Sequence, residues 1–231
     1  GLALRDEPNP ALGLRGVRLS LARDGLLDTQ LRALVRASGY GPVRILLPMV
    51  TSREEVRAVR SRLKHVIEEV RAQGHAVADH VPLGAMIEVP AAAIALPSFI
   101  GAVDFLSIGT NDLVQYLLAA DRNNEALGAL YTPLHPAVLR LLRSVIQLGH
   151  KRGKPVAVCG EMAGDPHFAP MLLALGLMEF SLHPATLLEL RRCIRACDLS
   201  RLQAHAPALL RARDRASIEV WLRENTPVAT S

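Results

Sequence analysis

Residues 103–112 read VDFLSIGTND, an apolar run that ends in a glycine followed by two polar side chains. Four further short apolar runs share this character, and each is separated from the next by a longer segment with helical periodicity. Nearly continuous apolar runs are typical of strands that are buried on both faces of a parallel sheet. The predicted strands cover residues 44–50, 83–89, 103–109, 155–159 and 178–182.

The segments between the strands carry helix start and stop signals. Ser52 and Glu55 form a capping box that begins a helix ending before Gly74. The predicted helices cover residues 24–38, 52–73, 91–99, 136–151, 167–175, 186–196 and 200–211. Strict alternation of strands and helices predicts an α/β fold with right-handed crossovers. This alternation fits either a doubly wound sheet or an arc of an eight-stranded barrel. No GxGxxG follows any predicted strand, so the doubly wound alternative lacks its dinucleotide-binding motif.

Composition narrows the possible functions of the 231-residue chain. Its net charge is +5, but it lacks a run of basic residues, and aromatic residues make up only 3%. Nucleic acid is therefore not an expected partner, because single-strand binding needs aromatic stacking platforms. Apolar runs are too short for a membrane span. The three cysteines, an odd and sparse set, favour a reducing compartment, and we expect a cytoplasmic location.

Two carboxylates follow neighbouring predicted strands at the point where each strand ends. Glu88 closes the run MIEVP, and Asp112 lies 24 residues later in SIGTND. The carboxyl ends of parallel strands meet at one edge, where α/β proteins bind their ligands. Either residue alone could be a helix cap or a loop carboxylate. Together they predict a Mg²⁺ site, since Mg²⁺ takes a few carboxylates and completes its octahedron with substrate and water.

Other candidate residues fall in the same part of the predicted fold. Asn111 precedes Asp112, and Arg15 and Arg122 lie in loops where phosphate-binding groups are expected, although either arginine could equally be a solvated surface residue. Cys159 ends an apolar strand in a glycine-rich turn, so it is either a structural thiol or, being protonated at neutral pH, a proton donor. His183 follows the last strand and could line the same site.

These motifs together resemble the C-terminal phosphoenolpyruvate-binding domain of the Enzyme I family of the bacterial sugar phosphotransferase system. The resemblance covers about residues 7–210. It rests on EPNPALGLRGVR, ILLPMVTSREEV, GAMIEVPAAA, VDFLSIGTNDLVQYLLAADRNN, VCGEMAGDP and LLALGLMEFSL. Pyruvate phosphate dikinase and phosphoenolpyruvate synthase carry related motifs and are the alternative within the same class.

The resemblance implies a (β/α)₈ barrel of the phosphoenolpyruvate/pyruvate type that binds phosphoenolpyruvate and Mg²⁺. The family's metal ligands fall on Glu88 and Asp112, and its substrate-binding residues on Arg15, Arg122, Asn111 and Asp112. The family's cysteine acid, which protonates the methylene carbon of the enolate, falls on Cys159. The implied activity is that of a phosphotransferase that passes the phosphoryl group of phosphoenolpyruvate to a histidine.

Two departures from the family pattern shape the expectations for this chain. About five of eight strands are predicted, so we expect a partial barrel, and the histidine motif of the family's N-terminal domain is not found in the sequence. We therefore expect a fragment that is inactive alone, with residues 1–212 forming an N-terminally incomplete barrel domain and 213–231 a C-terminal helix and tail. The implied partners are a phosphocarrier protein, reached through the missing domain, and a second copy in a homodimer. The alternative from another class is an inactive binding or dimerisation module.

Overall fold

The computed structural model describes residues 7–23 and 25–227. Its centre is one parallel sheet of five strands in the order β1-β2-β3-β4-β5. The strands are β1 (Ile45–Leu47), β2 (Leu83–Ile87), β3 (Leu106–Gly109), β4 (Val156–Cys159) and β5 (Glu179–Phe180). This sequential order confirms the arc of a barrel and excludes the reversal of strand order that defines a doubly wound sheet. The sheet is open, and within the described residues the outer edges of β1 and β5 are unpaired.

Helices follow the strands and cover the sheet. They are α1 (Val17–Ala22), α2 (Leu26–Ala37), α3 (Arg53–Ala72), α4 (Pro90–Phe99), α5 (Thr110–Leu118), α6 (Pro136–Lys151), α7 (Glu161–Gly164), α8 (Ala169–Ala174), α9 (Leu187–Ala196), α10 (Leu199–Arg211) and α11 (Arg215–Asn225). None of the helices in the described ranges is long and apolar enough to cross a membrane.

Local sequence signals account for the helix ends. Ser52 caps α3 by accepting a hydrogen bond from the Glu55 N–H, and the Glu55 carboxylate accepts one from the Ser52 N–H at 2.9 Å, which is the expected capping box. The helix α6 has the predicted bounds, with Pro136 at its first turn. Asp24, the expected start of the first predicted helix, lies outside the described residues, and the corresponding helix α2 begins at Leu26.

The core consists mainly of aliphatic side chains from the strands and from the inner faces of the helices. Leu83, Ala85 and Ile87 of β2 are fully buried, as expected for a strand covered on both sides. The chain after residue 212 contributes to burial as well. Trp221 of α11 is buried and donates its Nε1–H to the His205 carbonyl at 3.1 Å.

The segment after β3 differs in detail from the sequence expectation. No helix is predicted between residues 103 and 135, but the helix α5 begins directly after β3 at Thr110. Asn111 and Asp112 therefore lie in the first turn of a helix. A helix starting directly at a strand end holds these side chains more rigidly than a loop would.

Candidate active site

The carboxyl ends of β2, β3 and β4 carry the polar residues that the sequence singled out. Glu88 follows β2, Asp112 lies in the first turn after β3, and Cys159 is the last residue of β4. Gly109 pairs with Cys159 in the sheet register, so the thiol lies directly across β3's last residue. A Cβ atom built on Gly109 would lie 2.8 Å from Glu88 Oε2, so this glycine leaves the space that the carboxylate occupies.

Glu88 is a buried carboxylate with one strong backbone partner. It is 5% exposed, and its Oε1 accepts a hydrogen bond from the Met49 N–H at 2.6 Å. Burial raises the pKa of Glu88, the Met49 N–H opposes that rise, and the neighbouring Asp112 carboxylate raises the pKa further. Two carboxylates held this close favour a proton or a cation between them.

Asp112 brings the two candidate arginines together. Arg15 Nη2 lies 3.3 Å from Asp112 Oδ2, and Arg122 Nη1 lies 3.8 Å from Asp112 Oδ1. Asp112 Oδ1 is buried and has no hydrogen-bond partner. The Arg122 backbone is fixed by its N–H, which donates to Gln115 Oε1 of α5 at 3.0 Å. An unpartnered buried carboxylate oxygen between two guanidinium groups is a site prepared for a charged ligand.

The loop that carries Arg15 is seated against the loop after β1. Gly16 has a φ of +59°, and a Cβ there would lie 2.6 Å from the Cβ of Met49, which itself has a φ of +58°. The Val17 N–H donates to the Pro48 carbonyl at 3.0 Å. Arg15 Nη1 also donates to the Tyr116 hydroxyl at 3.2 Å, and that hydroxyl donates to the Ala11 carbonyl. Positive φ is easily adopted by glycine, so Gly16 is what lets the two loops meet.

Cys159 is a half-buried thiol at the same edge. Its Sγ donates to the Ile108 carbonyl at 3.4 Å. Burial raises its pKa, a hydrogen bond with Ser107 opposes the rise, and the charge of Glu88 adds to it. The thiol is therefore protonated at neutral pH, and it can act as a proton donor rather than a nucleophile.

Asn111 has a structural connection to the turn after β4. Its Oδ1 accepts the Glu161 N–H at 3.0 Å, and its carbonyl accepts the Tyr131 hydroxyl at 3.1 Å. Gly160, with a φ of +94°, would place a Cβ 2.7 Å from Asn111 Oδ1, so the turn after Cys159 requires glycine to pack on Asn111.

A cavity of about 780 Å³ opens beside Asn111 and Cys159. Its far wall includes Asp165, His183 and Glu189. His183 Nδ1 accepts the Ala185 N–H at 3.2 Å, so the ring caps the following turn. His183 thus lies at the strand-end face, as the sequence suggested.

Several residues of the site gave no signal in the sequence, and one arginine close to Arg15 along the chain lies outside the site. Arg18, three residues after Arg15, donates to the Leu12 carbonyl at 3.4 Å and lies outside the group formed by Arg15, Asp112 and Arg122. The backbone N–H of Met49, the amide of Gln115 and the hydroxyl of Tyr116 were not anticipated. Their contribution depends on which loops meet in space, and no local motif encodes that.

The residues present fit a Mg²⁺ ion. Glu88 and Asp112 offer buried carboxylate oxygens, one of them without a hydrogen-bond partner. Across residues 7–23 and 25–227, no cluster of three or more His, Cys, Asp or Glu side chains could hold a metal. Mg²⁺ commonly binds through one or two carboxylates and fills its remaining positions with water and substrate oxygens, so a pair is sufficient.

The chain is similar in sequence to several proteins of known name. The phosphoenolpyruvate-protein phosphotransferase of Cupriavidus necator is 48% identical to this chain over 206 residues. The match covers 89% of this chain and 35% of that protein. The protein of the same name from Geobacillus stearothermophilus is 50% identical to this chain over 190 residues. That match covers 82% of this chain and 33% of the relative's length. The chain therefore spans about a third of the length of these curated relatives.

The fold has a solved counterpart as well. A citrate lyase from Burkholderia xenovorans LB400 superposes with a TM-score of 0.55 at 20% identity, covering 85% of this chain and 67% of that one. This likeness concerns the fold alone and supports the barrel-type arrangement of the five strands. The family model described as "PEP-utilising enzyme, PEP-binding domain", where PEP is phosphoenolpyruvate, matches residues 1–199. By this match, which covers most of the sequence, the chain belongs to the family of PEP-utilising enzymes.

Proposed function

We propose that this chain is the PEP- and Mg²⁺-binding domain of a PEP-dependent phosphotransferase of the sugar phosphotransferase system. The observation that carries the proposal is the convergence of Arg15 and Arg122 on the buried Asp112, beside Glu88. PEP is a small trianion, so its site must combine guanidinium groups with a place for a cation. The relatives' printed name and their identity near 48% favour this activity over that of a dikinase or synthase.

Arg15 and Arg122 are the groups that would hold the phosphoryl and carboxylate oxygens of PEP. Their guanidinium groups approach one another across Asp112, and each is anchored by its neighbourhood, Arg15 by Tyr116 and the Arg122 backbone by Gln115. Pre-anchored donors cost little reorganisation when the ligand binds, and they fix the phosphoryl group for in-line transfer. The acceptor would be a histidine of a separate domain.

Glu88 and Asp112 would hold Mg²⁺, and Asn111 would contact the substrate beside them. The chemistry that the cation supplies when bound is neutralisation of negative charge on the substrate's oxygens. Burial of both carboxylates keeps water away from them and strengthens their attraction for a cation.

Cys159 would deliver the proton that converts the enolate to pyruvate. Its thiol is held at the strand end by Ile108 and is protonated because burial raises its pKa. The S–H bond breaks, a C–H bond forms at the methylene carbon, and the thiolate regains a proton from solvent. General acid catalysis of this kind contributes roughly 10²–10⁴-fold to a rate.

Calorimetric titration of the chain with PEP tests the proposal, with and without Mg²⁺. We expect binding that requires Mg²⁺ and that weakens at least ten-fold in Arg122→Gln. Arg18→Gln is the matched control, because it removes the same charge. Arg18 lies on α1, just after Arg15 in the chain, and does not contact Asp112 in the described structure. Equal affinity for PEP in both variants would contradict the assignment.

The wider context is part of the same proposal. A phosphotransferase of this kind would act in the cytoplasm, receive its histidine from an N-terminal domain, serve a phosphocarrier protein and form a homodimer. The relatives' printed name, phosphoenolpyruvate-protein phosphotransferase, supports one part of this context, a protein as the acceptor of the phosphoryl group. Co-purification of the parent protein with a phosphorylated carrier, and its sedimentation, test these parts separately from PEP binding.

A further inference from the structure

A pair of thiols lies on α9, apart from the PEP site. Cys193 belongs to the last turns of the helix, and Cys197 is its C-terminal cap residue. The two side chains interact with each other, and both are half-buried. Residues four apart on a helix have Cβ atoms about 5–6 Å apart on one face, which is close enough for the two side chains to meet.

The pair is connected to the wall of the cavity that Asn111 and Cys159 also line. Cys193 Sγ donates to the Pro166 carbonyl at 3.4 Å, and Pro166 lines the cavity next to Cys159. Glu189, one turn earlier on the same helix, lines the cavity too. The thiols therefore lie behind the loop that borders the site.

The geometry suits a bridging cation better than a disulfide. A disulfide needs Cβ atoms about 3.5–4.5 Å apart, which is shorter than the spacing of i and i+4 positions on a helix. A metal ion with two sulfur ligands at about 2.3 Å each spans a larger gap. Neither thiol is an activated nucleophile, because burial raises the pKa of both, that of Cys197 to about 11.

We propose that Cys193 and Cys197 form a two-thiolate site for a soft monovalent cation of the copper(I) type. Soft thiolates select such ions over the hard cations that carboxylates bind. On binding, each S–H loses its proton to solvent and each sulfur donates an electron pair to the cation, with no change in oxidation state. The resulting complex has one negative charge, which the adjacent Arg192 guanidinium offsets and the Glu189 carboxylate opposes. Loss of the Cys193 proton also removes its hydrogen bond to the Pro166 carbonyl.

Anaerobic titration with copper(I) against a chromogenic chelator tests the site. We expect the chain to withdraw one equivalent from the chelator. Cys193→Ser and Cys197→Ser should each weaken this binding at least ten-fold, whereas Cys159→Ser, which removes the third thiol, should leave it unchanged. Wild-type affinity in either α9 variant, or loss of binding in Cys159→Ser, would overturn the proposal.

A second measurement uses the unmodified chain and so does not depend on how the variants fold. With one equivalent of copper(I) bound, alkylation followed by peptide mapping should find Cys193 and Cys197 protected together and Cys159 still reactive. Protection of Cys159, or of only one α9 thiol, would contradict a shared site. PEP binding is not part of either measurement, so their outcome is independent of the proposed function.

Discussion

At the scale of single residues, the proposed binding of Mg²⁺ and PEP depends on a few side chains at the strand ends. Asp112 has the central place, because it contacts both arginines and keeps one oxygen unpartnered. We expect Asp112→Asn to abolish the Mg²⁺ dependence of PEP binding and to lower affinity at least ten-fold. Calorimetry with and without Mg²⁺ measures both effects.

The control for this substitution must be a carboxylate without a structural contact. Asp104 at the opposite end of β3 is unsuitable, since it pairs with Arg60 and accepts the Leu83 N–H. Asp79 is exposed in the segment before β2, so Asp79→Asn changes the charge equally and should leave binding intact. A similar loss in both variants would mean that net charge, not the site, governs affinity.

Cys159 can be tested without phosphoryl transfer. If its thiol exchanges protons with the enolate, the chain with Mg²⁺ should catalyse exchange of pyruvate methyl protons with deuterated solvent. Cys159→Ser should slow this exchange by about 10²–10⁴-fold, the usual contribution of a general acid. Cys193→Ser should exchange at the wild-type rate, and NMR follows the methyl signal. An undiminished rate in Cys159→Ser would leave the thiol a structural role only.

At the scale of elements, the seating of one loop on another positions Arg15. Gly16 has a φ of +59° and its Cβ position is filled by Met49, whereas Gly74 has a φ of +80° and open space around it. Gly74→Ala should cost only the backbone strain of about 1–3 kcal/mol. Gly16→Ala carries the same strain and a steric clash, so it should lower stability more and weaken PEP binding as well. Denaturant unfolding and calorimetry on both variants separate these effects, and equal losses would argue against the loop contact.

A second element-scale contact joins α3 to the amino ends of β2 and β3. Arg60 Nη2 lies 3.0 Å from Asp104 Oδ2, which also accepts the Leu83 N–H at 2.8 Å. Burial would raise the pKa of Asp104, but the Leu83 N–H and the Arg60 guanidinium outweigh it and hold the pKa below its ordinary value.

The sign of the resulting pH dependence follows from that lowered pKa. The contact stabilises the fold fully above the unfolded-state pKa of about 3.9 and loses this contribution as pH falls through the lower folded-state pKa. We expect the stability difference between wild type and Asp104→Asn to be constant near neutral pH and to shrink in acid. Unfolding measured at several pH values checks this, and a difference that grows in acid would contradict it.

At the scale of the whole molecule, an open parallel sheet has two edges that a closed barrel lacks. Within the described residues, β1 has no partner on one side and β5 none on the other, and Met178 before β5 is 61% exposed. Unpaired edges with exposed apolar side chains promote association. We expect the isolated chain to sediment as an oligomer or to precipitate, and to transfer no phosphate alone. A stable, active monomer would show that the edges are covered in another way.

The sequence by itself determined the order and type of the elements. Continuous apolar runs separated by capped amphipathic segments require buried parallel strands with helical crossovers, and the strand order agrees with this. It also determined which end of the sheet carries Glu88, Asp112 and Cys159, because parallel strands bring their carboxyl ends to one edge.

The tertiary structure decided how those residues meet. That Arg15 rather than Arg18 reaches Asp112 depends on the loop seated by Gly16 on Met49, a contact between segments 33 residues apart. Local periodicity reports which face of an element is buried, but it contains no information on which loops touch. Which side chains contact Asp112 depends on the packing of segments that are distant in the sequence, and only the folded chain shows that packing.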